Sequence, residues 1–143
     1  MRIIAFLAFC GLALFCGCSS EHYVQGRSDA GQFILQHALA YGGRPVTTNS
    51  LPTIGGDWQY VQDEFGVGIL LPASQYQSAR YFLHTAFGPP SSKAGWAARD
   101  FGVAIYFGQY GSNTEISVLR PMSDEQMARA AKKMDKIVRK STK

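Results

Sequence analysis

Behind a single Arg2, positions 3–15 are apolar apart from Gly11, and no polar face interrupts them. Beyond residue 27 the pattern breaks into short periodic stretches. Positions 30, 33, 34, 37, 38 and 41 recur at helical spacing. Ser28 and Asp29 are placed to cap that helix, with Gln32 completing a capping-box pattern, and Gly42-Gly43 ends it. Residues 58–62 read as a strand with Trp58, Tyr60 and Gln62 on one side. Residues 63–66 turn the chain, and 67–71 form a continuous apolar run suited to a strand covered on both faces. After Pro72, Ser74 and Gln77 predict a second capping box. The helix behind it buries Tyr76, Ala79, Phe82, Leu83, Ala86 and Phe87 and stops at Gly88-Pro89-Pro90.

Residues 44–56 and 91–100 are rich in Pro, Gly and polar side chains and read as loops, the second holding Trp96. Residues 101–108 alternate, 110–113 carry turn chemistry, and 114–120 return as a strand, so these segments predict a hairpin. Pro121 ends it. Ser123 and Gln126 then predict a capping box for a last helix, whose inner stripe is Met127, Ala130, Ala131, Met134, Ile137 and Val138. The expected order is α-β-β-α-β-β-α. The fold class it implies is α+β, an antiparallel four-stranded sheet with helices packed on one face. That order is similar to those of roadblock-like and profilin-like domains, a likeness of element order alone, which carries no function.

The N-terminal run is too short for a bilayer-crossing helix, which needs roughly 20 apolar residues. A basic start, an apolar segment and small residues at a cut site are the parts of a secretory signal. Here the run ends in Phe15-Cys16-Gly17-Cys18. Cys18 just past a small residue resembles the lipobox of bacterial lipoproteins, although Phe15 stands where Leu is usual. The resemblance implies removal of residues 1–17, acylation of Cys18 (palmitate being one such chain) and a tether over 18–27. A single domain then covers 28–143. It also implies a place in the cell envelope. Ser19 follows Cys18 where an Asp often retains such proteins at the inner membrane, so the expected site is the outer membrane, facing the periplasm.

The cysteine count agrees. The three cysteines, Cys10, Cys16 and Cys18, all lie in or beside the signal. A cut before Cys18 leaves the domain with no thiol for a disulfide, a metal or catalysis. Hydrophobic residues at 46% and charged residues at 17% describe a folded globule able to form its own core. The net charge of +4 falls to +3 once Arg2 leaves with the signal, and the excess lies in the last helix.

Candidate chemistry is sparse. Arg80 and His84, four apart on the polar side of the middle helix, could bind an anion or move a proton; a solvated helix face is the plain alternative. Arg129, Lys132, Lys133, Lys136 and Lys140 line the outer side of the last helix and could meet anionic headgroups or an acidic partner. The plain alternative there is a solubilising surface. His37, on an apolar face, reads as a hydrogen-bonded core histidine, and His22 as part of the tether. Asp57, Asp63, Glu64 and Asp100 read as turn formers and caps. No spacing points to a metal, a cofactor, a catalytic set or nucleic acid. The sequence therefore points to a non-enzymatic binding or assembly module. It would be held at the membrane by its lipid and partnered by an envelope protein or the cell wall. The alternative is a small periplasmic hydrolase using His84 or acids such as Asp57 and Asp100. A third is an inhibitor or immunity lipoprotein presenting a rigid loop over 91–99.

Overall fold

A computed structural model describes residues 23–129 and 132 of the chain. The strands are β1 (Val24–Gln25), β2 (Gln59–Gln62), β3 (Gly66–Pro72), β4 (Gly95–Trp96), β5 (Ala104–Tyr110) and β6 (Asn113–Leu119). The helices are α1 (Ala30–Ala40), α2 (Tyr76–Phe87), entered through a 3-10 turn at Ala73–Gln75, and the short α3 (Ala98–Phe101). Residues 124–129 are also helical. All strands join one antiparallel sheet in the order β1-β2-β3-β6-β5-β4.

The expected four-stranded sheet and its element order are therefore wrong. The sheet has six strands, and β1 and β4 fall where a tether and a loop were expected. Each has two residues, too few to show alternation. Their pairing is made by backbone groups that any sequence carries.

Cross-strand register explains the core. Tyr60, Ile69, Ile116 and Phe107 lie opposite one another in turn across β2, β3, β6 and β5, and Val67, Val118, Ile105 and Trp96 form a second row across β3, β6, β5 and β4. Cross-strand partners share a face, so both rows point to one side. There they meet Ile34 and Ala38 of α1 and Ala79, Phe82, Leu83 and Phe87 of α2 in one buried cluster. Gly31 lets the helices approach, because a Cβ there would lie 2.7 Å from the Phe82 ring.

The opposite face carries Ala104, Tyr106 and Leu119, with Phe65 and Met122 packed against them, and buries Glu115 and Ser117. Burial pushes the Tyr106 phenol above its ordinary pKa. The unfolded phenol then ionises at a lower pH than the folded one. Stability is therefore complete below about pH 10 and declines as pH rises through the folded value. Urea midpoints measured across this range should fall more gently for Tyr106→Phe than for the native chain, and equal slopes would remove Tyr106 from the explanation.

Local caps follow the sequence in two places and depart from it in two. Asp29 Oδ1 accepts the Gly31 N–H at 2.8 Å and the Ile54 N–H at 3.0 Å, so one carboxylate caps α1 and ties the 44–56 loop to it. Gln32 has no part in this cap. Ser123 Oγ accepts the Gln126 N–H at 3.2 Å while Gln126 Oε1 accepts the Ser123 N–H at 2.9 Å, the expected reciprocal box. The Ser74–Gln77 box does not form. The chain enters α2 through the 3-10 turn, and no side chain caps the helix.

Candidate functional site: a basic groove at the β4 edge

The site begins with the exposed side of α2. Its buried stripe fixes the opposite face, so Arg80, Tyr81 and His84 must point outward. Arg80 and His84 stand on a ridge between two concavities. One, of about 370 Å³, lies along the helix and includes Tyr81 and Gln77. The other, of about 420 Å³, lies between α2 and the 88–96 segment and is lined by Arg80, His84, Ser92, Lys93, Trp96 and Phe107.

The far wall is held by a dense set of bonds. The Trp96 indole N–H donates to the Gly88 carbonyl at 2.9 Å, and the Phe107 N–H donates to the Ala94 carbonyl at 3.0 Å. The Ser91 and Ser92 N–H groups both donate to the Gly95 carbonyl, at 2.9 and 3.1 Å. The Ser91 hydroxyl donates to Asp100 Oδ2 at 2.8 Å. Phe107 stacks on Tyr76, with centroids 4.8 Å apart and planes at 26°. The groove therefore has an aromatic floor, pinned at both ends, under basic side chains.

Its charge is one-sided. The ion pairs among the described residues are Arg99–Asp100 and Arg129–Glu125. Neither involves Arg80, His84 or Lys93, and no carboxylate is among the residues lining the groove. Arg80 and Lys93, unpaired around an apolar floor, suit a ligand that carries carboxylate or phosphate oxygens beside apolar surface.

The hydroxyl and carboxyl groups near the groove make local bonds. Ser92 shares the groove with His84, but its Oγ accepts the Ala94 N–H at 3.2 Å as a local turn. Asp100 is engaged by Ser91 and Arg99. Asp63 closes the β2–β3 turn by accepting the Phe65 and Gly66 N–H groups at 2.7 and 3.1 Å. No group of three or more His, Cys, Asp or Glu side chains suited to a metal occurs among the described residues. His37 is half-buried; its Nδ1–H donates to the Phe33 carbonyl at 2.9 Å, and its ring lies against Phe33.

Of the residues singled out in the sequence, Arg80 and His84 are brought together. Arg129 and Lys132 are exposed, do not line the groove, and Arg129 pairs with Glu125 at 2.6 Å. Cys18, His22, Lys133, Lys136 and Lys140 lie outside the described residues. Lys93, Trp96 and Phe107 were not singled out as site residues together with Arg80. Their one local signal is Gly95-Trp96 shortly after Pro89-Pro90, a tight return that sets a large ring beside the preceding helix.

A third concavity, of about 530 Å³, lies at the opposite edge of the sheet, where Val24, Arg27, Phe33, Trp58 and Tyr60 meet. Trp58 Nε1–H donates to the Ser28 carbonyl at 2.7 Å, and the Phe33 ring lies 4.8 Å from Trp58 and 4.7 Å from Tyr60. No helix among the described residues is long and apolar enough to cross a membrane. No protein-family model matches this chain, and no curated protein and no solved structure is significantly similar to it.

Proposed function

We propose that this chain is an envelope lipoprotein, anchored through Cys18 and facing the periplasm from the outer membrane, whose domain binds an anionic envelope partner without turning it over. The anchor is supported by the apolar run ending at Gly17-Cys18 and by the lack of any cysteine beyond it. Binding is supported by one observation above all. Arg80, His84 and Lys93 converge unpaired over an aromatic floor, with no carboxylate in the lining to orient His84 as a base. A partner presenting acidic groups, on an envelope protein or on the cell wall, complements Arg80 and Lys93.

Two measurements test this. The mass of the protein from its native host should correspond to a diacylglyceryl-modified chain beginning at Cys18, and Cys18→Ser should leave the membrane fraction. A photo-crosslinker at exposed Tyr81 should then give a discrete adduct in intact cells. Reversing both charges, in Arg80→Glu/Lys93→Glu, should reduce its yield at least about tenfold, equivalent to about 1.4 kcal/mol. An adduct indifferent to charge reversal, or ester or cell-wall hydrolysis abolished by His84→Ala, would overturn the reading.

A further inference from the structure

The basic groove and the aromatic concavity stand at opposite edges of the sheet, and the chain from Cys18 arrives at the aromatic one. The tether is shorter than 18–27. Val24 and Gln25 pair with Tyr60 and Gln59, the Gly26 N–H donates to the Trp58 carbonyl at 2.9 Å, and the Ala30 N–H donates to the Ile54 carbonyl at 3.1 Å. The first strand of the sheet therefore begins at Val24. Six residue steps separate it from Cys18, which span at most about 22 Å even when fully extended.

The surface at that entry point is suited to a lipid headgroup layer. Val24 is 51% exposed on the outermost strand. Beside it the half-buried rings of Phe33 and Tyr60 lie 4.7 Å apart over the buried Trp58, and Arg27 supplies the one charge among the residues lining the concavity. Tyrosine favours the membrane–water boundary, where its ring can be apolar at one end and wet at the other, and Tyr60 is the ring so placed here. An arginine beside them is attracted to anionic headgroups. The edge strand β1 is only two residues long, which offers little for another strand to pair with.

We propose that the β1 edge, with Val24, Arg27, Phe33 and Tyr60, lies against the headgroups of the membrane that holds Cys18, so that the basic groove at the β4 edge faces away from that membrane. This rests on the lipid anchor proposed above. Six strands leave five gaps of about 4.8 Å, which sets the two edges roughly 24 Å apart. The groove is then carried beyond the headgroup layer, and its anionic ligand belongs to a partner standing off the surface. The short leash and the apposed edge together set the direction in which the domain presents its site.

The test uses lipidated protein reconstituted in phosphatidylethanolamine/phosphatidylglycerol vesicles that carry a nitroxide on the headgroup. The domain has no cysteine of its own, so Val24→Cys, Ser92→Cys and Ala128→Cys each add one reactive thiol for a fluorophore at an exposed position. Flotation with the vesicles, lost in Cys18→Ser, reports the anchor independently. With flotation intact, headgroup quenching should be severalfold stronger at position 24 than at 92 or 128. Equal quenching at all three would mean a domain that rolls freely on its leash, and strongest quenching at 128 would place the basic C-terminal segment against the lipid. Either result overturns the orientation while leaving the anchor standing. Failure to float removes the anchor and the orientation with it.

Discussion

Replacing Phe82 by Ala should lower the unfolding free energy by about 3–5 kcal/mol, the range for deleting a buried aromatic ring. Phe82 has no exposed surface and lies in the middle of α2, where its ring fills the space that Gly31 leaves on α1. The ring is therefore both core volume and the spacer between the two helices. A truncated side chain leaves a cavity that α1 can close only by moving. That movement is opposed by Asp29, which holds the start of α1 to the Ile54 backbone at 3.0 Å. Domains of this size are stable by about 5–15 kcal/mol, so the variant should sit near the edge of folding. Urea unfolding followed by far-UV circular dichroism measures the change. A loss below about 1 kcal/mol would show that the helices close over the gap, and that Phe82 does not set their spacing.

The second large effect is expected at Gly95. Its φ is +142°, and a Cβ there would sit 2.0 Å from the Ile105 carbonyl oxygen. A methyl group cannot occupy that space, because the obstacle is backbone of the central hairpin and not the tip of a flexible chain. Gly95→Ala should therefore peel β4 from β5, adding backbone strain of about 1–3 kcal/mol to the lost pairing. The consequence is functional as well as structural. Gly95 accepts both the Ser91 and Ser92 N–H groups, and its neighbour Trp96 forms the groove's wall. In a Trp58→Phe background Trp96 is the sole tryptophan, so its emission should shift to the red as the ring becomes wet. Partner crosslinking at Tyr81 should be lost together with it. Emission that stays blue in a stably folded Gly95→Ala protein would show that the groove does not depend on this pairing.

Both arguments turn on contacts between segments far apart in the chain, and this divides what the sequence conveys from what it does not. The helix over residues 76–87 was legible because its apolar positions repeat over three turns and Gly88-Pro89-Pro90 forbids continuation. The β5–β6 hairpin was legible because seven-residue strands alternate around Gly111. The reciprocal cap at Ser123 and Gln126 was legible because both partners lie within one turn. Ser74 and Gln77 carry the same pattern without forming the bond. There the chain approaches α2 as a 3-10 turn, and Gln75 reaches away to donate to the Gly55 carbonyl at 3.1 Å.

The candidate site divides in the same way. Arg80 and His84 could be paired on paper because residues four apart share a helix face. Lys93 could not be added to them: Pro89-Pro90 and Gly95 mark a tight return, but nothing local states which side chains the 88–96 segment carries to Arg80. That return depends on β4 finding the exposed edge of β5, a pairing of two residues whose one demand on the sequence is the glycine at position 95.

The order of apolar and polar positions was sufficient by itself to determine two long helical stretches and the central hairpin. Each of these is encoded by neighbours within a few residues, where backbone geometry converts spacing into a shared face. Only the tertiary structure decided that the sheet is six strands wide, that the chain enters it at Val24, and that a basic groove and an aromatic concavity occupy opposite edges. Edge pairing is made by main-chain groups common to every residue, so beyond a required glycine such as Gly95 the sequence carries little mark of it until the rest of the sheet exists to be joined.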